Sequence, residues 1–400
     1  MGNIKRILLV NGEFPPISGG GGIYTSNLAQ SLAKQNSDLQ VLVLAGTRDV
    51  FTVPTGEKPL SNLKIIRVPE LYLIDQGTTH IWQVSKVLSD TIATFNPDIV
   101  HTHHTYESLA AFLCKQILNF KLVITIQKSP VRHFHEWKED PQWSLICFLY
   151  EQERYDGVIV NSQAYMRTAK FFGAKEPIKL IYYGIDKKRF FIDKKLGQKV
   201  RGELGLKDGQ FLLVVPSRID ERKGIDILID AMSLVKQSQL KTYKKIKAVV
   251  AGANIYSKCS DYKKLLIREL EISGNQENIK LGYKNGAYDS MNGLYNAADL
   301  LVIPSLREGL GFAAIEGMNV QKPILASNTV GLDEIITDKE NGLTFETGKA
   351  EDLTKKILWA IQHKNELKEL AKKGYEWQKD KFLIPEMAKE HLDFYKSLVE

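Results

Sequence analysis

Two glutamates, Glu308 and Glu316, bracket a glycine turn in the stretch REGLGFAAIEG at residues 307–317. Carboxylates accept hydrogen bonds from hydroxyl groups, and glycine lets backbone N–H groups come close to a ligand. The spacing of the two acids decides nothing alone, because this chain is rich in glutamate. The flanking residues carry the argument. Upstream, residues 299–305 (DLLVIPS) are a short apolar run closed by Pro304 and Ser305, the pattern of a buried parallel strand. Downstream, residues 312–320 (FAAIEGMNV) have apolar positions at helical spacing. The order is strand, glycine turn, helix. Glu308 falls at the carboxyl end of the strand and Glu316 about one turn into the helix. Open α/β sheets bind ligands at that edge, and the start of a helix offers N–H groups to an anion. A ligand carrying both phosphate and hydroxyl groups fits such a pair.

Three further stretches fall at strand ends. SRIDERKG (residues 217–224) follows an apolar strand and supplies Arg218 and Lys223, two fixed cations that can hold a diphosphate and stabilise charge on it as it leaves. PPISGGGGIYTSNLAQSLAK (residues 15–34) places four consecutive glycines between the first strand and the first helix. It lacks the Gly-Lys-Ser/Thr of a P-loop, but its backbone could approach a phosphate or sugar closely. LGYKNG (residues 281–286) offers Tyr283 as a surface for a nucleobase, or as the packed side chain of a plain turn. The cluster His101, His103 and His104 in HTHHTYES has no cysteine beside it and straddles a strand end. It reads as the lining of an interdomain cleft, and no metal ion is expected there. RHFHEW (residues 132–137) is a weaker signal of the same kind. GLGFAA (residues 309–314) matches the dinucleotide-binding pattern Gly-x-Gly-x-x-Ala. However, it comes several strands into its domain rather than at the first turn, and flanking glutamates are foreign to that pattern.

The elements that must position these residues alternate in type. Strand patterns occupy residues 6–10, 40–45, 64–68, 98–102, 122–126, 157–161 and 179–182, with helical patterns such as 23–34 and 81–95 between them. A second α/β series runs through 211–217, 246–251, 278–281, 299–304 and 323–327. Between the two series, residues 186–207 are charged and carry no strand pattern, and so read as a connection. The expected architecture is α/β, with two Rossmann-like domains facing a central cleft. Residues 1–185 form the N-terminal domain, 186–207 the linker, and 208–375 the C-terminal domain. Residues 376–400 form a helix with no strand after it, which must pack on an existing surface.

The formal charge is +7, from 54 basic and 47 acidic side chains, and these are scattered. No dense basic stripe with interleaved aromatics suggests nucleic acid. Three cysteines without motif spacing argue for a reducing compartment and against a disulfide framework or a zinc site. The N-terminal apolar run is too short for a signal peptide, and no run approaches a membrane span, so a cytoplasmic location is expected. Residues 137–150 (WKEDPQWSLICFLY) suit either a buried helix or an interfacial patch on the inner face of a membrane. Residues 1–180 hold 18 basic and 16 acidic side chains and give no strong membrane signal.

Together these stretches resemble the E-x7-E retaining glycosyltransferases of family 4, which have the GT-B fold. The likeness spans nearly the whole chain in the right order, and it implies that residues 1–185 are the acceptor side, that residues 208–375 are the donor side and that the helix 376–400 returns to the N-terminal domain. It includes the glycine loop GGGGIY, the junction segment YYGID (residues 182–186), the Arg218–Lys223 loop, the region 297–327 and ENGLTFETGKAEDL (residues 340–353). The resemblance implies that Arg218 and Lys223 grip a donor diphosphate, that Glu308 binds hydroxyls of the transferred sugar, and that Glu316 binds the nucleotide ribose. It implies that backbone groups of Gly309, Leu310, Gly311 and Phe312 hold sugar and phosphate, with Gly21 and Gly22 meeting the diphosphate from the other domain. Tyr24, His103 and Gln127 are assigned to sugar or acceptor contacts. No cofactor is implied beyond the nucleotide sugar, with UDP the base suggested by the family. One departure stands out: Gln127, in ITIQKSP, occupies a place where the family usually carries histidine. A glutamine still hydrogen-bonds a sugar hydroxyl but carries no charge. It leaves open either an altered donor or acceptor geometry or a catalytically weak nucleotide-sugar-binding subunit. The base, sugar, acceptor and oligomeric state are not set by the sequence.

Overall fold

The computed structural model describes residues 4–15, 20–47, 60–72, 79–125, 141–152, 155–252, 257–284 and 290–400. Contacts divide the chain into two units, Met1–Gly184 with Phe382–Glu400, and Ile185–Lys381.

The first unit begins with RILLVN, aliphatic at four successive positions and buried after its first residue. Such an unbroken run forms a parallel strand covered on both faces. It is β1 (Arg6–Asn11), followed by α1 (Gly20–Gln35), β2 (Gln40–Gly46), β3 (Leu63–Val68), α2 (Thr79–Phe95), β4 (Ile99–Thr102) and α3 (Thr105–Cys114). The series continues with β5 (Lys121–Ile124), α4 (Pro141–Glu151), β6 (Gly157–Val160), α5 (Gln163–Phe171) and β7 (Ile178–Leu180). The strands form a seven-stranded sheet in the order β3-β2-β1-β4-β5-β6-β7. All of its pairings are parallel. The sequence reading put the four consecutive glycines between the first strand and the first helix, but Gly20, Gly21 and Gly22 belong to the first turn of α1. Gly22 is required there: an added Cβ would lie 2.5 Å from the Glu13 carbonyl oxygen. Of the segment 137–150, left open above between a buried helix and an interfacial patch, residues 137–140 lie outside the described residues and the rest lies in α4, with Trp143, Ile146, Leu149 and Tyr150 buried and Phe148 exposed.

The second unit contains α6 (Lys194–Glu203), β8 (Phe211–Val215), α7 (Ile225–Ser238), α8 (Leu240–Tyr243), β9 (Ile246–Val250), α9 (Ser257–Ser273) and β10 (Ile279–Leu281). It continues with α10 (Met291–Ala297), β11 (Leu300–Ile303), α11 (Phe312–Asn319), β12 (Ile324–Ser327), β13 (Leu343–Phe345), α12 (Ala350–Gln362) and α13 (Lys364–Gln378). Its strands order as β10-β9-β8-β11-β12-β13, again parallel throughout. β13 was not anticipated: three residues between polar turns are too short to show periodicity. Residues 186–207, read above as a connection, contain α6. Asp193 caps that helix, its side chain accepting from Leu196 N at 2.9 Å, and the helix packs on α10.

The tail helix α14 (Ile384–Leu398) returns to the first unit and packs on α1. Gly184 and Gly157 make room for it. A Cβ at Gly184 would sit 2.5 Å from Ile384 Cα, and one at Gly157 would sit 2.8 Å from the Phe394 ring. Among the described residues no helix is long and apolar enough to cross a membrane.

Candidate active site

In the second unit the chain runs outward from β8 to β9 and β10 on one side and to β11, β12 and β13 on the other. β8 and β11 are neighbours, paired at Leu213↔Leu300 and Val214↔Leu301. Where the order reverses, the loops after the two strands part toward opposite faces and leave a crevice. The loop after β8 holds Ser217, Arg218 and a short 3-10 turn, Glu221–Lys223, capped by the Asp220 carboxylate, which accepts from Arg222 N at 3.0 Å. Gly224 ends that turn in the left-handed region at φ 60°, and an added Cβ would lie 2.1 Å from the Pro304 carbonyl oxygen. Leu306 N donates to the Arg222 carbonyl at 2.7 Å. The two loops are thus clasped together.

That clasp brings Lys223 Nζ to Glu308 Oε2 at 2.6 Å, with both side chains 17% exposed. Burial pushes the Glu308 carboxyl upward. The Lys223 charge and hydrogen bond, with the Arg222 charge, outweigh burial and hold it below the ordinary carboxylate value. Lys223, Glu308 and Gly311 line one small cavity with Ser217, Ser305 and Ala313. Arg218, half-buried, lies on the same loop, its backbone pressed against Gly252, where a Cβ would sit 2.3 Å from Arg218 Cα.

The glycine turn follows from local crowding. Gly311 caps α11 at φ 83°, and a Cβ there would meet the Leu332 side chain at 2.5 Å. Gly331, at φ 92°, lets a second turn cradle Glu308 and Gly309: a Cβ there would lie 2.5 and 2.7 Å from their carbonyl oxygens. Leu310 is buried, so what it offers a ligand is backbone, while Gly309 and Phe312 are half-buried. Glu316 is on α11, 9% exposed, with Oε2 accepting from the Tyr295 hydroxyl at 2.6 Å. Tyr283, suggested for a nucleobase, is only 5% exposed, and its hydroxyl donates to Glu203 Oε2 at 2.9 Å. Its ring is packed rather than presented.

The first unit places its residues differently. Gly21 and Gly22 sit at the start of α1, tied down by Asn11, whose Nδ2 donates to the Gly21 carbonyl at 3.1 Å and to Thr25 Oγ1 at 2.6 Å. Tyr24, His101 and His103 are fully buried, so the lining role expected of those two histidines gives way to an interior one, while His104 is half-buried with Nε2 3.1 Å from Asn11 Oδ1. His103 Nδ1 donates to the Val10 carbonyl at 2.9 Å, and burial holds its pKa down to about 3. His391 of α14 donates from Nδ1 to the Met387 carbonyl at 2.7 Å. Its Nε2 then accepts from the Tyr24 hydroxyl at 2.5 Å. His101 bridges the Tyr395 hydroxyl (2.6 Å) and Thr125 Oγ1 (2.8 Å). Gln127 and residues 132–137 lie outside the described residues. Two residues escaped sequence reasoning. Tyr295 reads as a core aromatic on a helix. Glu107 reads as a helix-surface acid, yet it is fully buried, accepts from Gly12 N at 2.5 Å and is pushed up to about 7 by burial.

Two family descriptions match this chain in succession. Glycosyltransferase Family 4 covers residues 18–189, and Glycosyl transferases group 1 covers residues 198–377. The chain belongs to the group 1/family 4 glycosyltransferases. It is therefore a glycosyltransferase of a retaining, metal-independent family that uses nucleotide-sugar donors. An uncharacterized glycosyltransferase of Methanocaldococcus jannaschii is 27% identical over 378 residues, 94% of each chain. Among solved structures, sucrose-phosphate synthase from Thermosynechococcus elongatus superposes with a TM-score of 0.84 at 21% identity, covering 98% of this chain and 99% of that one. Anabaena HepE in complex with UDP and glucose superposes with a TM-score of 0.80 at 19% identity, covering 98% of this chain and all of the other. The fold is GT-B.

Proposed function

We propose that this glycosyltransferase moves a sugar from a UDP-sugar to an acceptor hydroxyl on a glycan, a lipid-linked molecule or a small molecule. The observation that carries this reading is the Lys223–Glu308 pair, 2.6 Å apart at the crevice where the strand order of the second unit reverses. Lys223 and Arg218 hold the diphosphate and stabilise the charge that grows on it as the glycosidic bond breaks. Glu308, kept ionised beside Lys223, accepts from hydroxyls of the transferred sugar. Backbone N–H groups of the Gly309–Phe312 turn meet sugar and phosphate at the start of α11. Glu316 accepts from the ribose hydroxyls. Retention follows from attack on the face that the nucleotide leaves. Uridine is favoured because HepE, of the same fold, is a complex with UDP and glucose. Acceptor contacts are assigned to the first unit.

Release of UDP from a panel of UDP-sugars, with and without candidate acceptors, tests the reading. Lys223→Ala should slow turnover about a hundredfold or more, the usual loss of one preorganised group facing a developing anion. Unchanged turnover in that variant overturns it. Binding without turnover for every donor and acceptor favours the catalytically weak subunit instead.

A further inference from the structure

We infer that Tyr295 is a positioning residue for nucleotide recognition: its hydroxyl fixes the Glu316 carboxylate and so sets how well the protein tells a ribonucleotide from a deoxyribonucleotide. This rests on the proposed role of Glu316 at the ribose. Tyr295, on α10, is fully buried. Its hydroxyl donates to Glu316 Oε2 at 2.6 Å, the length of a charge-assisted O–H···O⁻ bond. A phenol has one hydrogen to donate, so the bond engages one carboxylate oxygen from one direction.

The tyrosine is itself held from behind. Phe190 packs edge-on against its ring, with centroids 5.6 Å apart at 79°. The Phe190 carbonyl accepts from Asn319 Nδ2, and Asn319 Oδ1 accepts from Gln378 Nε2 at 3.0 Å. Asn319 and Glu316 are three residues apart on α11, so both ends of the Tyr295–Glu316 bond are anchored to one helix. Loss of this donor would free one oxygen of a carboxylate at 9% exposure from the direction the hydroxyl sets. A carboxylate turned from that direction is a poorer acceptor for two vicinal hydroxyls. The bond therefore acts on the ribose, and removing it should weaken the ribose contact while leaving diphosphate contacts at Lys223 in place.

The experiment is calorimetric titration of the full chain with UDP, GDP and ADP. The tightest binder is then compared with its 2′-deoxy and 3′-deoxy forms in the wild type, Tyr295→Phe, Glu316→Gln and the double variant. Tyr295→Phe should weaken binding of the ribonucleotide about tenfold, in line with losing a hydrogen bond to a charged group, and leave a deoxy form almost unaffected. In the Glu316→Gln background the tyrosine substitution should have no further effect. A purely structural role would lower the melting temperature and weaken ribo and deoxy forms alike, and that result overturns the inference. Discrimination lost in Glu316→Gln but intact in Tyr295→Phe overturns the role of Tyr295 alone. Discrimination intact in Glu316→Gln removes Glu316 from the ribose and takes the inference with it.

Discussion

The two units arrange their strands alike, each reversing order between its first and fourth strands, yet the two reversal edges are filled differently. At the edge of β8 and β11 the side chains are an ammonium and a carboxylate, 17% exposed and beside a cavity. At the edge of β1 and β4 they are His101, His103 and Glu107, all at 0% exposure. There the tail helix contributes His391 and Tyr395 to the same buried network. A doubly wound sheet makes a crevice wherever its order reverses. Whether that crevice stays accessible or becomes interior depends on what else packs over it. In the first unit α14 does so: Tyr24 bonds His391 and His101 bonds Tyr395 there, while His103 Nε2 and Glu107 Oε2 are buried without a hydrogen-bond partner among the described residues.

The comparison is broken most directly at the second unit. Lys223→Ala carries the largest expected effect, the hundredfold loss of turnover stated above, whereas Tyr24→Phe in the first unit should leave the Lys223–Glu308 chemistry intact. Gly224→Ala comes next. It places a Cβ against the Pro304 carbonyl at a left-handed φ and should cost about 1–3 kcal/mol in denaturant unfolding, with turnover falling because the clasp delivering Lys223 is strained. Tyr24→Phe leaves His391 Nε2 without its donor inside the protein and should cost about 1–3 kcal/mol, read as a lowered melting temperature. An unchanged melting temperature would show that this edge is less tightly satisfied than its geometry indicates.

A further test lies in the pH dependence. His103 and His391 are held by burial at about 3 and about 4, while in the unfolded chain they titrate near 6.5. Below pH 6.5 the unfolded state binds more protons, so their contribution to stability is lost progressively as pH falls toward 4 and then 3. Glu107 has the opposite sign. Raised from 4.5 to about 7, its contribution is full below 4.5 and is lost as pH rises through 7. Denaturation midpoints measured from pH 8 to pH 4 should fall on the acid side, and His391→Gln should flatten that limb.

Much of the fold could be read from the chain because its strands are unalternated aliphatic runs closed by glycine, proline or serine. RILLVN, FLLVV and LLVI are of that kind, and each is buried at nearly every position. The adjacency of Lys223 and Glu308, 85 positions apart, was readable only as two loops at one sheet edge; the contact itself depends on β8 and β11 pairing and on Gly224 fitting under Pro304. Periodicity could place His101 and His103 on one side of β4, but not say what covers that side. The cover is α14, from nearly 300 residues later, and no local pattern encodes such a contact. Tyr295 and Glu107 were hidden for the same reason, since an aromatic or an acid on a helix looks the same in sequence whether it meets solvent or a distant backbone. Local residue order thus determined the elements and the edges where chemistry could sit. The tertiary structure decided which polar side chains stay accessible and which are enclosed, because burial is set by long-range packing rather than by neighbours in the chain.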